Sequence, residues 1–193
     1  MPWGTITATG WASGLNLWGT ALLLGLAGRL DWADTPEELQ RPWVLAVLGA
    51  LYAVEFVIDK IPWLDSAWDV ANTAIRPLGG ALLAAALAQD AGSTESVAAL
   101  LGGTFALTAH SAKASTRAAI NTSPEPFSNV LASLTEDGIV AAMVALALAY
   151  PVAAGIVAVT FALASVVVTW MLSKAVRTLL ARWRARRAGS VPT

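Results

Sequence analysis

The sequence predicts an all-α integral membrane protein of about six transmembrane helices with an internal repeat, in which the third and fifth helices are broken or partly re-entrant. Three observations carry that expectation. Composition comes first: 56% of the residues are hydrophobic and only 13% charged, with a mean hydropathy of +0.62, against about 25% charged in a soluble domain. Second, apolar stretches approaching the roughly 20 residues that span a bilayer are separated by short polar breaks. Third, two stretches read as copies: LGALYAVEFVIDK at 48–60 aligns with LGGTFALTAHSAK at 101–113, so that Lys60 falls on Lys113 and Tyr52 on Phe105. After about two extra helical turns in the second copy, Asp65 falls on Glu125, Asp69 on Asn129, Thr73 on Ser133 and Arg76 on Glu136. A single transmembrane domain over 1–193 is expected, with the repeat covering about 48–90 and 101–150 and a basic tail from 174 to 193.

The six expected helices lie at 8–30, 42–61, 63–89, 96–120, 126–150 and 152–180. The first half of the third and of the fifth is amphipathic, and only 77–88 and 138–150 are thoroughly apolar. Each of these two is either a full span with a polar half or a re-entrant segment followed by a half-span. Arg76-Pro77 predicts a kink or break in the third, since proline lacks the backbone donor and crowds the preceding turn. No charged run precedes the first apolar stretch, so no removable signal peptide is expected.

Basic residues set the orientation. Lys174, Arg177, Arg182, Arg184, Arg186 and Arg187 make a C-terminal tail without an acid, which the positive-inside rule keeps in the cytoplasm. Six spans then put the N-terminus there too, Lys60, Lys113 and Arg117 at cytoplasmic turns, and the acid-rich DWADTPEELQ loop outside. The tail is expected to lie as a basic amphipathic helix on anionic headgroups. Trp3, Trp11, Trp32, Trp43, Trp63, Trp170 and Trp183 fall near predicted helix ends as interfacial anchors, with Trp18 and Trp68 further inside. Glycines such as Gly19, Gly25, Gly28, Gly49, Gly79, Gly80, Gly102 and Gly103 suit a compact bundle and a possible homodimer.

Ionisable residues inside apolar segments are costly and usually mark a site. Glu55 and Asp59 stand one turn apart on a face with Tyr52; Asp65, Asp69, Asn72, Thr73 and Arg76 step along the next helix at spacings of three and four. His110, Lys113 and Arg117 answer from the fourth helix, and Asn129, Ser133, Glu136 and Asp137 from the fifth. The acid-rich first copy and base-rich second copy predict neutralising pairs: Asp59 or Asp69 with Lys113 or Arg117, and Arg76 with Glu136 or Asp137. Snorkelling at the turns is the plainer role for Lys60, Asp65, Lys113 and Arg117, and buried structural pairing is the plainer role for the rest. Ser123 or Ser128 is a candidate cap for a helix N-terminus open to an anion, or for a plain loop.

The strings FVIDKIPWLDSAWDVANTAIRPLGGALLAA and TAHSAKASTRAAINTSPEPFSNVLASLTED resemble the uncharacterised bacterial membrane-protein family known as domain-of-unknown-function family 4126. The likeness runs from about Ser13-Gly14 to the sixth helix, and D-K-I-P, I-R-P and S-P-E-P-x-S-N are its specific strings. It implies a membrane protein, expected in the inner membrane, and supplies no substrate, reaction or catalytic residue.

Function divides three ways at this level. The leading expectation is a small transporter or channel-like protein moving an ion or small polar solute through a polar cavity at the repeat interface, past Glu55, Asp59, Asp69, Arg76, His110, Lys113, Arg117, Asn129, Glu136 and Asp137. Glu55, Glu136 and His110 are its candidates for changing protonation. A membrane enzyme acting at the cytoplasmic face on a lipid-linked or phosphorylated substrate is the alternative, with Lys60, Lys113 and Arg117 on a phosphate and Asp65, Asp69 or Glu125 as base or metal ligand. A structural scaffold is the third. With no Cys and one His, no cofactor and no metal are expected, and the partners expected are the lipid bilayer and a small solute, without nucleic acid.

Overall fold

The computed structural model describes residues 2–92, 94–122 and 126–188. Among them it forms eight helices and no strand: α1 Pro2–Leu15, α2 Leu17–Arg29, α3 Glu37–Gln40, α4 Pro42–Ile58, α5 Leu64–Asp90, α6 Glu95–Ile120, α7 Pro126–Ala149 and α8 Pro151–Ala188. Proline opens α4, α7 and α8, where its missing N–H would have had no partner in any case. Among the described residues three helices are long and apolar enough to cross a membrane: Leu64–Gln89, Pro126–Ala149 and Pro151–Thr178.

The central element is α1. It packs against α5, α6, α7 and α8, and Ile6, Ala8, Trp11, Ala12 and Leu15 are all buried. One apolar cluster joins Ala8, Trp11 and Ala12 to Ala109, Val140, Met143, Ala154 and Ala158. A second gathers Ile6, Leu24, Leu83, Ala84, Leu87, Ala98 and Val144. The core is rich in alanine because the helices approach closely, and glycine opens the tightest seam. A Cβ on Gly10 would strike Gly102, and one on Gly14 would meet the Ala106 carbonyl and Ala109. Gly80 and Gly102 face each other across α5 and α6 in the same way. Large apolar side chains such as Val70, Leu82, Leu100 and Val152 point outward instead, a surface that an aqueous protein of this size would not present.

Several expectations are corrected. The first helix is two helices, interrupted at Asn16. The third, by contrast, runs through Pro77 without a break as the single helix α5, packed along α6. The fifth is likewise one continuous helix, α7. Trp11 is a core residue, tilted against Phe161 and donating to Ser165 Oγ at 3.3 Å, whereas Trp3, Trp32, Trp43, Trp63 and Trp170 are exposed. Gly49 meets no neighbouring helix. The cap expected at Ser123, with Pro124 and Glu125, lies outside the described residues, as do the side chains of Arg182, Trp183, Arg184, Arg186 and Arg187.

Candidate functional site

The interruption at Asn16 positions the site. Asn16 adopts an extended backbone (φ −149, ψ 99), and its Oδ1 accepts a hydrogen bond from the Gly19 amide at 2.8 Å, capping α2. An unbroken helix would bond that amide to the Leu15 carbonyl. Freed from it, the Leu15 carbonyl accepts from Lys113 Nζ at 3.1 Å, and the neighbouring Gly14 carbonyl accepts from Arg76 Nη1 at 3.3 Å. The carbonyl end of α1, the negative pole of its dipole, thus meets two cations. On the other side Asn16 Nδ2 donates to Asp137 Oδ1 at 3.0 Å.

Around this break the expected residues assemble into one network. Arg76 pairs with Glu55 at 3.0 Å and stands 3.1 Å from Asp69. Lys113 pairs with Asp59 at 2.5 Å, Glu136 at 3.3 Å and Glu55 at 3.7 Å. Arg117 holds Glu136 at 2.6 Å, lies 3.9 Å from both Asp59 and Asp65, and donates to the Asp59 and Asn129 carbonyls. Trp68 Nε1 reaches Glu55 Oε2 at 3.5 Å. An amide chain closes the far end, where Asn129 donates to Asn121 and Asn121 to Asp65 and Ser66. Lys60, half-buried, donates to Ser133 and to the Phe56 carbonyl.

Burial is close to complete. Glu55, Asp65, Arg76, Arg117 and Asn129 are 0% exposed, and Asp59, Asp69, His110 and Lys113 no more than 3%. Asp65, Lys113 and Arg117 therefore do not snorkel. The expected Asp59 pair with Lys113 and Arg117 is present. The expected partners of Arg76 and Asp69 are not: Arg76 takes Glu55 and Asp69, and Glu136 goes to Arg117 and Lys113. The reason is packing. Asp69 and Arg76 lie two turns apart on one face of α5, while α7 packs on α1, α2 and α8, which brings Glu136 to the cations of α6.

Sequence reasoning missed Asn16. Its signal was an amide in the middle of an apolar span with Gly19 three residues on, and Thr9, Ser13 and Thr20 add a buried polar line through α1 and α2. Among the described residues no group of three or more His, Cys, Asp or Glu side chains is placed to hold a metal ion. Among the described residues the most prominent clefts, of about 930, 520 and 510 Å³, are lined by the 28–40 segment with Gln89, by α1 with α8, and by the 170–178 stretch of α8. None of the three touches the ion network.

Fold and site together define an all-helical protein with apolar, membrane-length helices around a charged interior. The chain belongs to the family described as Domain of unknown function (DUF4126), whose model matches residues 4–171. Every residue of the network lies within that match, and the end of α8 lies beyond it. No curated protein and no solved structure matches the chain.

Proposed function

We propose that this protein is a small membrane transporter or channel-like protein for an ion or small polar solute, and that the ion network at the Asn16 break is its site, held shut in this conformation. The observation that carries the proposal is the pair of freed carbonyls, Gly14 and Leu15, turned onto Arg76 and Lys113. Discontinuous helices whose exposed ends face charge near the middle of the bundle are a recurrent way of building a solute site in a membrane. A buried network of this size would otherwise cost stability relative to apolar packing.

Six crossings then follow if α1 and α2 form one interrupted crossing, with α4 to α8 supplying five more and the basic end of α8 in the cytoplasm. α4 with α5 and α6 with α7 stand as the two copies of the repeat. In its support, α6 continues about two turns past Lys113, whereas α4 ends at Ile58, just before Lys60.

A second reading, a structural scaffold, is favoured by one observation: the pairs are closed, and the three clefts lie elsewhere. Flux separates the two. Reconstituted in liposomes and tested with sodium, potassium, chloride and a pH-sensitive dye, the wild type should move at least one of these ions, and Lys113→Ala should abolish the movement while the purified variant keeps its helical circular dichroism. Equal flux in Lys113→Ala would overturn the site assignment; no flux of any solute in the wild type would favour the scaffold.

A further inference from the structure

We infer that Asp69 is a proton-binding site, which makes the proton the ligand, or one of the ligands, of this network; the inference rests on the transporter reading for its role but not for its test. The charge count motivates it. Among the described residues Glu55, Asp59, Asp65, Asp69 and Glu136 pair only with Arg76, Lys113 and Arg117, so with every group ionised two negative charges remain uncompensated in a low-dielectric interior. One proton removes one of them, and Asp65 is held besides by the neutral donors Ser66 N–H and Asn121. Adding the peripheral Asp137 and Lys60 leaves the excess unchanged. Buried charge in surplus is relieved most simply by a proton.

Geometry selects the residue. Glu55 accepts from Arg76 and Trp68, Glu136 from Arg117, Asp59 from Lys113, Asp65 from Ser66 and Asn121, and Asp137 from Asn16. Asp69 alone among these acids accepts no hydrogen bond on either oxygen, though it is 2% exposed. Arg76 Nη1 lies 3.1 Å away, but its two N–H bonds are directed at the Gly14 carbonyl and at His110 Nδ1. Arg76 therefore offers Asp69 proximity without a donated hydrogen. A proton on Asp69 converts it to a donor, and Asn72 Oδ1, one turn along the same face of α5 and also without a donor, is its natural acceptor.

The groups that govern this proton come from every side. They are Asp65 and Arg76 on α5, Glu55 and Asp59 from α4 and its turn, His110, Lys113 and Arg117 on α6, and Glu136 on α7. α1 contributes the Gly14 and Leu15 carbonyls, and the one charged side chain of α2, Arg29, turns away to the Gln40 carbonyl. Release breaks the Asp69 O–H bond, sends the proton to water admitted when the network opens, and leaves a carboxylate to which Arg76 can turn.

Infrared spectroscopy of the full chain in detergent tests this directly. At neutral pH the wild type should show the carbonyl band of one protonated carboxyl group per chain. Aspartate carrying ¹³C at its carboxyl should shift that band, glutamate so labelled should not, and Asp69→Asn should abolish it. Absence of the band, a shift with labelled glutamate, or survival of the band in Asp69→Asn would overturn the inference. The labelling arm uses wild-type protein and separates aspartate from glutamate even if Asp69→Asn fails to fold. Asp59→Asn and Asp65→Asn, which should keep the band, separate Asp69 from the other buried aspartates, and loss of the band in either while it is retained in Asp69→Asn would overturn the inference. A band of the expected origin without liposome flux would leave the proton site standing and remove the transport reading; flux without the band would do the reverse.

Discussion

The Arg76 guanidinium lies 3.0 Å from His110 Nδ1, and that single contact fixes the chemical state of the imidazole. A guanidinium can only donate, so Nδ1 must present its lone pair, and His110 is the neutral Nε2–H form. Its Nε2 then faces Thr73 Oγ1 at 3.4 Å. The histidine acts as a polar acceptor that steers Arg76, and as long as that contact holds it is not a charge carrier.

The chain has one histidine, so nitrogen NMR of the imidazole needs no assignment. At neutral pH the spectrum should be that of the Nε2–H tautomer, and Arg76→Lys should disturb it. An Nδ1–H tautomer or an imidazolium signal would contradict the contact.

Arg76→Ala should destabilise the protein by about 3–5 kcal/mol, because it leaves Glu55 buried without its nearest cation, with Lys113 3.7 Å away as the remaining one. Glu55→Gln in the same chain should recover part of that loss, since the two sites share one interaction. Denaturant unfolding in detergent of both single variants and the double variant measures the coupling; simple additivity would mean that the pair is not held as described.

Asn16→Ala should cost about 1 kcal/mol through the lost cap, plus the contact with Asp137. Asn16→Ser, which keeps a cap but is too short to serve both partners, should lie between wild type and Asn16→Ala. Amide hydrogen exchange at Gly19 should accelerate in the alanine variant and stay slow in the serine one.

The glycine seam offers an internal control. Gly14→Ala should cost about 1–3 kcal/mol by overpacking α1 against α6, since its Cβ would meet the Ala106 carbonyl. Gly49→Ala, where nothing lies within 4 Å, should be neutral or stabilising by up to about 1 kcal/mol from helix propensity. Equal melting temperatures for the two variants would argue against the close approach of α1 and α6.

Much was legible in the residues alone. Hydropathy located the apolar segments, proline marked the starts of α4 and α7, and the placement of charges inside greasy helices singled out Glu55, Asp69, Arg76 and His110 as deep, while Lys113 and Arg117 read equally well as snorkelling at the turns. These features are local or nearly so: period, cap and composition act within a few residues, and the cost of burying a charge holds wherever it sits. Tertiary structure decided the rest. Only there does α5 run through Pro77 without a break, and which acid Arg76 takes depended on α7 lying against α1 and α8 rather than α5. Asn16 looked like one polar residue in an apolar span. Only the fold set Lys113 and Arg76 opposite the carbonyls that its cap releases, because a freed backbone group has a partner only where another helix supplies one.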